Sequence, residues 1–408
     1  MNRSMVSHFV ALLGVLFIAL NLRGPFTSVA PLLAQIMETL GLNASKGGFV
    51  TALPLIALAI FSPVTPKLVN RVGIEPSLII ALFCIAFGIV IRSMGSEYML
   101  YLGTIILGAG IAFGNVLLPS IVKKLFPNKI SVITSIYVLV MGIGATFSAS
   151  SMVPLSQLQL GDVDGWQIAL LLNLIFPVTA VIYWWPKLLL GNSKSTQNTD
   201  YSVSIKPLLK SPTAWYVTLA LGINSFTFYS LAGWLPRILT SFGYTDIQSG
   251  YIYGLLQFST ILPGLILIPI LSKIRNHVIL IIACSSGVTF SLIGLLVIPN
   301  LSIFWVVLFG LSNCSTFIVA LSFIGLRTLN SEQATALSGM AQSFGYGLAA
   351  MGPSLIGYFY TVTNAWELPL FIITIFSGIC TIFSALAARK NLIPLGCYLS
   401  IQTKAHRQ

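Results

Sequence analysis

Long runs of apolar residues, separated by short polar intervals, fill most of the chain. An α-helix needs about 20 apolar residues to cross a hydrocarbon core of about 30 Å. By this criterion the pattern predicts twelve spans and therefore an all-α polytopic membrane protein. The spans are expected at residues 7–35, 47–66, 77–94, 98–122, 131–154, 166–188, 213–235, 248–271, 277–298, 301–326, 334–360 and 367–388.

The long polar interval at residues 191–210 divides these spans into two sets of six. It is rich in Ser, Thr and Asn, which is typical of a solvated linker. We therefore predict an N-terminal six-helix bundle at 1–190, a cytoplasmic linker at 191–210, a C-terminal six-helix bundle at 211–390 and a cytoplasmic tail at 391–408.

The two sets of spans share a short glycine-framed segment. GLNASKGG begins at Gly41 before the second span, and GYTDIQSG begins at Gly243 before the eighth. The spacing that pairs these two glycines also pairs Gly48 with Gly250. Together with the central linker, this repeat favours two pseudo-symmetric halves with a substrate site between them.

Composition and charge support the membrane assignment. The 408 residues are 56% hydrophobic and only 7% charged, whereas soluble domains carry about 25% charged residues. The net charge of +12 does not indicate a nucleic-acid partner, because no basic run interleaves with aromatic residues. All but four of the 21 basic residues fall on the side that holds both termini; the exceptions are Arg23, Lys46, Arg92 and Arg237. The positive-inside rule then places both termini in the cytoplasm of a multi-pass protein of the plasma (inner) membrane.

The sequence offers no pattern for catalysis or for a cofactor. It has no HExxH motif and no glycine-rich loop followed by Lys-Ser/Thr. The five cysteines show no CxxC or Cys/His spacing. We therefore predict no catalytic residue, no metal site and no cofactor. The expected partners are a small-molecule substrate and the lipid bilayer, with the protein as a monomer.

Arg23 is the candidate that stands out, because it lies within the first span. A position about fifteen residues into a helix is about 22 Å deep. A guanidinium stays protonated there, at a cost on the order of 3 kcal/mol or more, so it usually faces a water-filled cavity or a partner. We predict that Arg23 is the charge that faces the substrate, next to a kink at Gly24-Pro25. The alternative is that its side chain snorkels to the headgroups.

Uncharged polar residues inside other spans are the remaining candidates for substrate binding. An amide in a span either lines a cavity or hydrogen-bonds to a neighbouring helix, and the sequence leaves both readings open. Gln342 and Tyr346 lie one helical turn apart on a common face. Besides Arg23, the candidates are Asn21, Asn115, Asn224, Tyr229, Gln257, Asn313, Gln342 and Tyr346.

Residues near the span ends are expected to anchor the chain at the bilayer surface. Arg92 and Arg237 are predicted to reach the headgroups. Trp184 and Trp185 are predicted to belong to an interfacial aromatic belt. None of these four residues is a predicted binding residue.

The loop after the second span reads PKLVNRVG at residues 66–73. It is similar to the G-x-x-x-D-R-x-G-R-R signature of the major facilitator superfamily. Arg71 and Gly73 match, whereas Asn70 replaces the usual Asp and the trailing basic pair is missing. With twelve spans in two halves, the chain resembles this superfamily over nearly its whole length. The resemblance implies a cytoplasmic gating loop at Asn70, Arg71 and Gly73, and a cavity lined by spans one, four, seven and ten.

Further segments resemble the cyanate permease and 2-nitroimidazole transporter subfamily. They are Asn21-Leu22-Arg23 with TSVAPLL at 27–33, TALP at 51–54, LPSIVKKLF at 118–126 and GWLP at 233–236. Members of this subfamily carry chemically different small solutes. The resemblance therefore implies a cyanate-like or small planar organic compound without identifying it.

These observations favour a secondary active transporter of a small polar or anionic solute that works by alternating access. The span interiors contain almost no acidic residues, so an organic cation would meet Arg23 without a neighbouring carboxylate. Two alternatives stay open. One is a multidrug efflux pump of the same superfamily, and the other is a membrane sensor that no longer transports.

Overall fold

The computed structural model describes residues 3–42, 44–158, 163–190, 206–274, 277–389 and 392–393. This part of the chain is built from α-helices joined by short loops. The helices are α1 (Arg3–Thr27), α2 (Leu33–Leu40), α3 (Ala44–Phe61), α4 (Thr65–Val72), α5 (Ile74–Arg92), α6 (Glu97–Leu125), α7 (Ile130–Ser156), α8 (Gly165–Leu172), α9 (Ile175–Leu190), α10 (Pro212–Ser241), α11 (Asp246–Ser259), α12 (Leu262–Lys273), α13 (His277–Val297), α14 (Ser302–Leu326), α15 (Ser331–Thr363) and α16 (Glu367–Ala387).

In the part of the chain that the structure describes, ten segments are long and apolar enough to cross a membrane. The two longest helices after the central linker, α10 and α15, occupy the predicted seventh and eleventh spans. The all-α class predicted from the apolar runs is confirmed.

The sixth and eighth predicted spans each consist of two helices, and the first and second predicted spans end just inside α2 and α4. α1 and α2 are separated by a short 3-10 segment, as are α3 and α4. α8 and α9 are separated at residues 173–174, and α11 and α12 at residues 260–261. Each interruption lies within a few residues of a proline, such as Pro177 or Pro263, which lacks the N–H that continues a helix. The kink predicted at Gly24-Pro25 corresponds to the first interruption, because α1 ends two residues after Pro25.

The chain divides into two compact units. Unit 1 comprises Met1–Pro127 and Val140–Ser204, and unit 2 comprises Asn128–Leu139 and Ile205–Gln408. The first turns of α7 belong to unit 2, where the Ser131 Oγ lies 3.5 Å from the His277 Nε2. The linker predicted at 191–210 lies mostly outside the described residues, and so does nearly all of the predicted tail at 391–408.

Glycines allow close helix contacts inside unit 1. A Cβ at Gly103 of α6 would lie 2.2 Å from the Arg92 backbone N at the end of α5. A Cβ at Gly24 of α1 would lie 3.2 Å from the Gly144 carbonyl O of α7. Small residues at such crossings let helix backbones pack against each other. The backbones of α1 and α5 are therefore held by direct contacts to neighbouring helices.

Trp184 contributes a further contact within unit 1. It is buried, and its Nε1 donates to the Gly14 carbonyl O over 3.0 Å. The prediction that Trp184 belongs to an interfacial belt is therefore wrong, because its indole packs between α9 and α1. The side chain of Trp185 lies outside the described residues.

In unit 2 a close helix crossing joins α10 and α15. A Cβ at Gly222 would lie 2.8 Å from the Gly345 Cα. Farther along the same two helices, the Trp234 Nε1 donates to the Pro353 carbonyl O over 2.8 Å. Trp234 belongs to an apolar cluster in which the rings of Tyr360 and Trp366 stack with centroids 4.2 Å apart. These contacts hold α10 beside α15.

Candidate functional site

The side chain of Arg23 is half-buried on the last turns of α1. It makes no hydrogen bond or ion pair with any residue that the structure describes. The neighbouring Leu22 packs on Gly114 of α6, because a Cβ at Gly114 would lie 2.4 Å from the Leu22 Cδ2. Asn115, also half-buried, follows Gly114 directly. Arg23 and Asn115 therefore both border the crossing of α1 and α6.

Asn21 does not accompany Arg23 on this surface. Its side chain is fully buried, and its Nδ2 donates to the Phe17 carbonyl O over 2.8 Å and to the Phe176 carbonyl O over 3.1 Å. Phe176 lies in the first turn of α9, directly before Pro177. Asn21 thus joins α1 to α9, and the prediction that it contacts substrate is not supported by its position.

Arg92 was expected to anchor in the headgroups, and this prediction is wrong. Its side chain is 1% exposed, which makes it one of the largest fully buried side chains of the protein. The guanidinium donates to the Pro25 carbonyl O and to the Ser28 Oγ, each over 2.9 Å. In the sequence, Arg92 is a basic residue among apolar residues near the end of a span. Nothing there shows that the oxygens of Pro25 and Ser28 lie within reach of its guanidinium.

Most of the segment predicted to be a gating loop, residues 66–73, is helix α4, which is followed by Gly73 and α5. Asn70 and Arg71 are exposed on α4, and Gly73 ends that helix with φ +89°, a conformation that favours glycine. Two residues later, Glu75 forms an ion pair of 2.6 Å with Lys124 at the end of α6. The ion pair of Glu75 therefore connects the start of α5 to α6. Asn70, at the position of the superfamily's usual Asp, is not part of this ion pair. A gating role for Asn70, Arg71 and Gly73 stays a prediction.

Unit 2 contains an open recess between α10, α14 and α15 with about 250 Å³ of empty space. Two predicted residues, Gln342 and Tyr346, line it from α15. The amide and the phenol therefore face the same space, as their one-turn separation predicts. The complete lining is Leu221, Ser225, Phe317, Leu321, Ala341, Gln342, Gly345 and Tyr346.

Two lining residues with useful chemistry were missed from the sequence. Ser225 adds a hydroxyl, and Phe317 adds an aromatic ring. Ser225 directly follows Asn224 inside the seventh predicted span, so the search for uncharged polar residues in spans could have indicated it. Phe317 begins a short apolar stretch after Ser315 and Thr316, and nothing in the sequence distinguishes its ring from residues that face lipid.

Asn224 and Asn313 face each other between α10 and α14. The Asn313 Nδ2 lies 3.1 Å from the Asn224 Oδ1 and 3.2 Å from its carbonyl O, and the Asn224 Nδ2 lies 3.3 Å from the Asn313 carbonyl O. Both side chains are buried. Of the two readings left open for such amides, this geometry favours the interhelical hydrogen bond.

The two remaining candidates are half-buried residues of unit 2. The Gln257 Nε2 donates to the Tyr253 Oη over 2.9 Å, near the interruption between α11 and α12. Tyr229 packs edge-on against Phe228, with ring centroids 5.4 Å apart. The structure brings neither residue to the recess, so their assignment to substrate binding stays a prediction.

Where the structure describes their burial, acidic residues occupy exposed or half-buried positions. No Asp or Glu side chain whose burial the structure describes is buried. Lys46 and Glu97, which join α3 to α6, form an ion pair of 2.8 Å that raises the pKa of Lys46 through the hydrogen bond from its ammonium. Within the described residues, no group of three His, Cys, Asp or Glu could hold a metal ion.

Comparisons with known proteins agree with this architecture. A model of the Major Facilitator Superfamily matches residues 11–350. The chain is 40% identical over 391 residues to a 2-nitroimidazole transporter of Escherichia coli (strain K12), covering 95% of this chain and 97% of that protein. It is 23% identical over 355 residues to the cyanate transport protein CynX of the same organism, covering 86% and 90%.

Solved structures of other proteins have a fold similar to that of this chain. The crystal structure of FucP, a transporter of the same superfamily in the outward conformation, matches with a TM-score of 0.76 at 14% identity, covering 93% of this chain and 98% of that one. These findings confirm the resemblance predicted from the motifs at the ends of the spans.

Proposed function

This chain belongs to the Major Facilitator Superfamily and is a secondary transporter of small solutes; we propose that its substrate is a small planar compound with two coplanar acceptor oxygens. A nitroheterocycle or a small aromatic carboxylate fits this description. The observation that carries the proposal is Arg23, a half-buried cation without an ion-pair partner among the described residues.

The chemistry of the guanidinium favours such a solute. A planar fork of N–H donors matches two oxygens that lie in one plane, and hydrogen bonds from a charged donor are stronger than neutral ones. A nitro group has the same flat two-oxygen geometry as a carboxylate. Because no described acid is buried, a cationic solute would find no opposite charge inside the spans. Arg23 would repel it.

The recess of unit 2 supports the same solute class. Its phenol, amide and hydroxyl, from Tyr346, Gln342 and Ser225, can donate to acceptor atoms, and Phe317 offers an aromatic surface. The 2-nitroimidazole named for the 40% identical relative has both the ring and the nitro group.

Other features of the proposal follow from the sequence. We propose a multi-pass protein of the plasma membrane with both termini in the cytoplasm, because the basic residues are concentrated on that side. We also propose that it works as a monomer and has neither catalytic activity nor a nucleic-acid partner. Reporter fusions at residue 195 and at the C-terminus should both report the cytoplasm. A periplasmic signal from either would refute the orientation.

The transport proposal is tested by counterflow, which does not depend on the direction of transport or on the coupling ion. Purified protein in liposomes preloaded with unlabelled 2-nitroimidazole should accumulate labelled 2-nitroimidazole transiently and saturably. Unsubstituted imidazole, which has the ring without the oxygens, should compete at least about tenfold more weakly, as expected for the loss of about 1.5 kcal/mol of charge-assisted hydrogen bonding. Exchange of a lipophilic cation, with no response to nitroimidazole, would instead support multidrug efflux.

A further inference from the structure

Arg92 is a buried cation that the transport proposal has not used. It makes no ion pair with any acid that the structure describes. Its Nε is buried without a hydrogen-bond partner. A buried ion without a counter-ion is costly, and even buried ion pairs can often be replaced by apolar residues without loss of stability. The hydrogen bonds of Arg92 stabilise the helix contact, but a contact between helices does not require a buried charge.

The contacts of Arg92 lie at the end of α1. The Nη1 donates to the Pro25 carbonyl O and the Nη2 to the Ser28 Oγ, and the same hydroxyl donates to the Pro25 carbonyl O over 2.9 Å. Carbonyls in the last turn of a helix lack intrahelical donors. The planar fork thus bridges two oxygens on either side of the point where α1 ends at Thr27. A lysine would offer a single point charge instead of this fork.

The backbone at Arg92 is closely packed against neighbouring helices. The Arg92 backbone N lies against Gly103 of α6, where a Cβ would come within 2.2 Å. The next residue, Ser93, accepts through its carbonyl O a hydrogen bond of 3.0 Å from the Gln167 Nε2 of α8. Helices α5, α6 and α8 therefore hold Arg92, and Arg92 holds the end of α1.

The turn that Arg92 holds is the one that carries Arg23. Thr27, the last residue of α1, donates through its Oγ1 to the Arg23 carbonyl O over 3.2 Å and to the Ala145 carbonyl O of α7 over 3.2 Å. The Pro25 carbonyl O lies inside this turn. Without the guanidinium, the turn would keep the contact with α7 but lose these two hydrogen bonds from α5.

We propose that Arg92 is a positioning residue for transport, which fixes the last turn of α1 so that the guanidinium of Arg23 meets the solute in one orientation. This inference rests on the proposed role of Arg23. Arg92 itself does not contact the solute. Its contribution is therefore expected in the apparent affinity for the solute, and only when Arg23 is present.

A double-mutant cycle between Arg23→Ala and Arg92→Gln tests this inference. Glutamine keeps an N–H donor but loses the charge and the second arm of the fork. In counterflow of 2-nitroimidazole, normalised to folded protein by size-exclusion fluorescence, Arg92→Gln should raise KM about five- to tenfold with little change in maximal rate. In the Arg23→Ala background the same substitution should change KM by less than about twofold.

Ser28→Ala provides a milder matched variant, because it removes one acceptor of the fork and leaves the charge in place. It should raise KM in the same direction and by a smaller factor. If Arg92→Gln raises KM equally in both backgrounds, or acts only by lowering the amount of folded protein, the inference is wrong. If Arg23→Ala leaves KM unchanged, the proposed role of Arg23 fails instead. If Arg23→Ala has no effect on KM but Arg92→Gln still raises it, Arg92 does not act through Arg23 and the inference is also wrong.

Discussion

The Asn224–Asn313 pair leads to a quantitative prediction about stability. Both amides are at most 4% exposed, and three donor–acceptor distances of 3.1–3.3 Å join them. Interhelical hydrogen bonds in membrane proteins contribute about 0.6 kcal/mol on average and up to about 1.7 kcal/mol. Removing one amide also leaves its partner buried and unpaired. Asn224→Ala should therefore lower the free energy of unfolding by about 1–2 kcal/mol.

Thermal unfolding of the purified protein in detergent measures this effect. For a domain of 150–250 residues, 1 kcal/mol corresponds to a shift in Tm of about 2–4 °C. Asn224→Ala and Asn313→Ala should each lower Tm by about 2–8 °C. The double variant should be destabilised by clearly less than the sum of the two, because the second substitution removes a partner that is already unpaired.

Ser225→Ala is the matched control for this experiment. Ser225 follows Asn224 on α10 but faces the recess, so its loss should leave Tm nearly unchanged and weaken solute binding. The reasoning would be refuted if Asn224→Ala kept the wild-type Tm and raised the KM for the solute. The amides would then serve the substrate and not the contact between α10 and α14.

Two further predictions concern packing in unit 2. Gly222→Ala should lower Tm, because the new Cβ would lie 2.8 Å from the Gly345 Cα. Gly347→Ala should leave Tm unchanged, since a Cβ there meets no described atom within 4 Å. Equal shifts in Tm for the two variants would contradict this account. Arg327→Gln should lower the free energy of unfolding by about 1–3 kcal/mol, because the buried guanidinium donates to the Ala387 and Ala388 carbonyl oxygens at the end of α16 over 2.9 and 2.7 Å. Hydrogen exchange should then speed up in the last turn of α16 in that variant, and unchanged exchange would show that these contacts are dispensable.

The sequence was sufficient for the fold because membrane spans leave a strong apolar signal. A run of about 20 apolar residues predicts a helix wherever it occurs. The interruption between α8 and α9 was harder to predict from the sequence. Pro177 alone does not indicate that the side chain of Asn173 hydrogen-bonds to carbonyl groups at the end of α8. The Asn173 Nδ2 lies 3.3 Å from the Ala169 and Leu170 carbonyl oxygens, and its Oδ1 accepts a hydrogen bond of 2.6 Å from the Ser148 Oγ of α7.

The candidate site was only partly predictable, because tertiary packing decides which polar residues are used between helices. Asn21 and Asn115 have the same chemistry in the sequence, yet the first is fully buried against α9 and the second is half-buried beside α6's contact with α1. Arg23 and Arg92 form a similar contrast. Arg23 lies in the first predicted span and Arg92 in the third. Only the folded structure shows that two oxygens lie within reach of the Arg92 guanidinium.

The central claim is that Arg23 recognises two coplanar oxygens on a planar solute. The most direct test measures the affinity of purified wild-type protein and Arg23→Lys for 2-nitroimidazole and for cyanate, a linear anion that cannot occupy both arms of the fork. Arg23→Lys should weaken nitroimidazole binding about tenfold, through the loss of one charge-assisted hydrogen bond, and should change cyanate binding by less than about twofold. Equal losses for both solutes, or no loss for either, would contradict the claim.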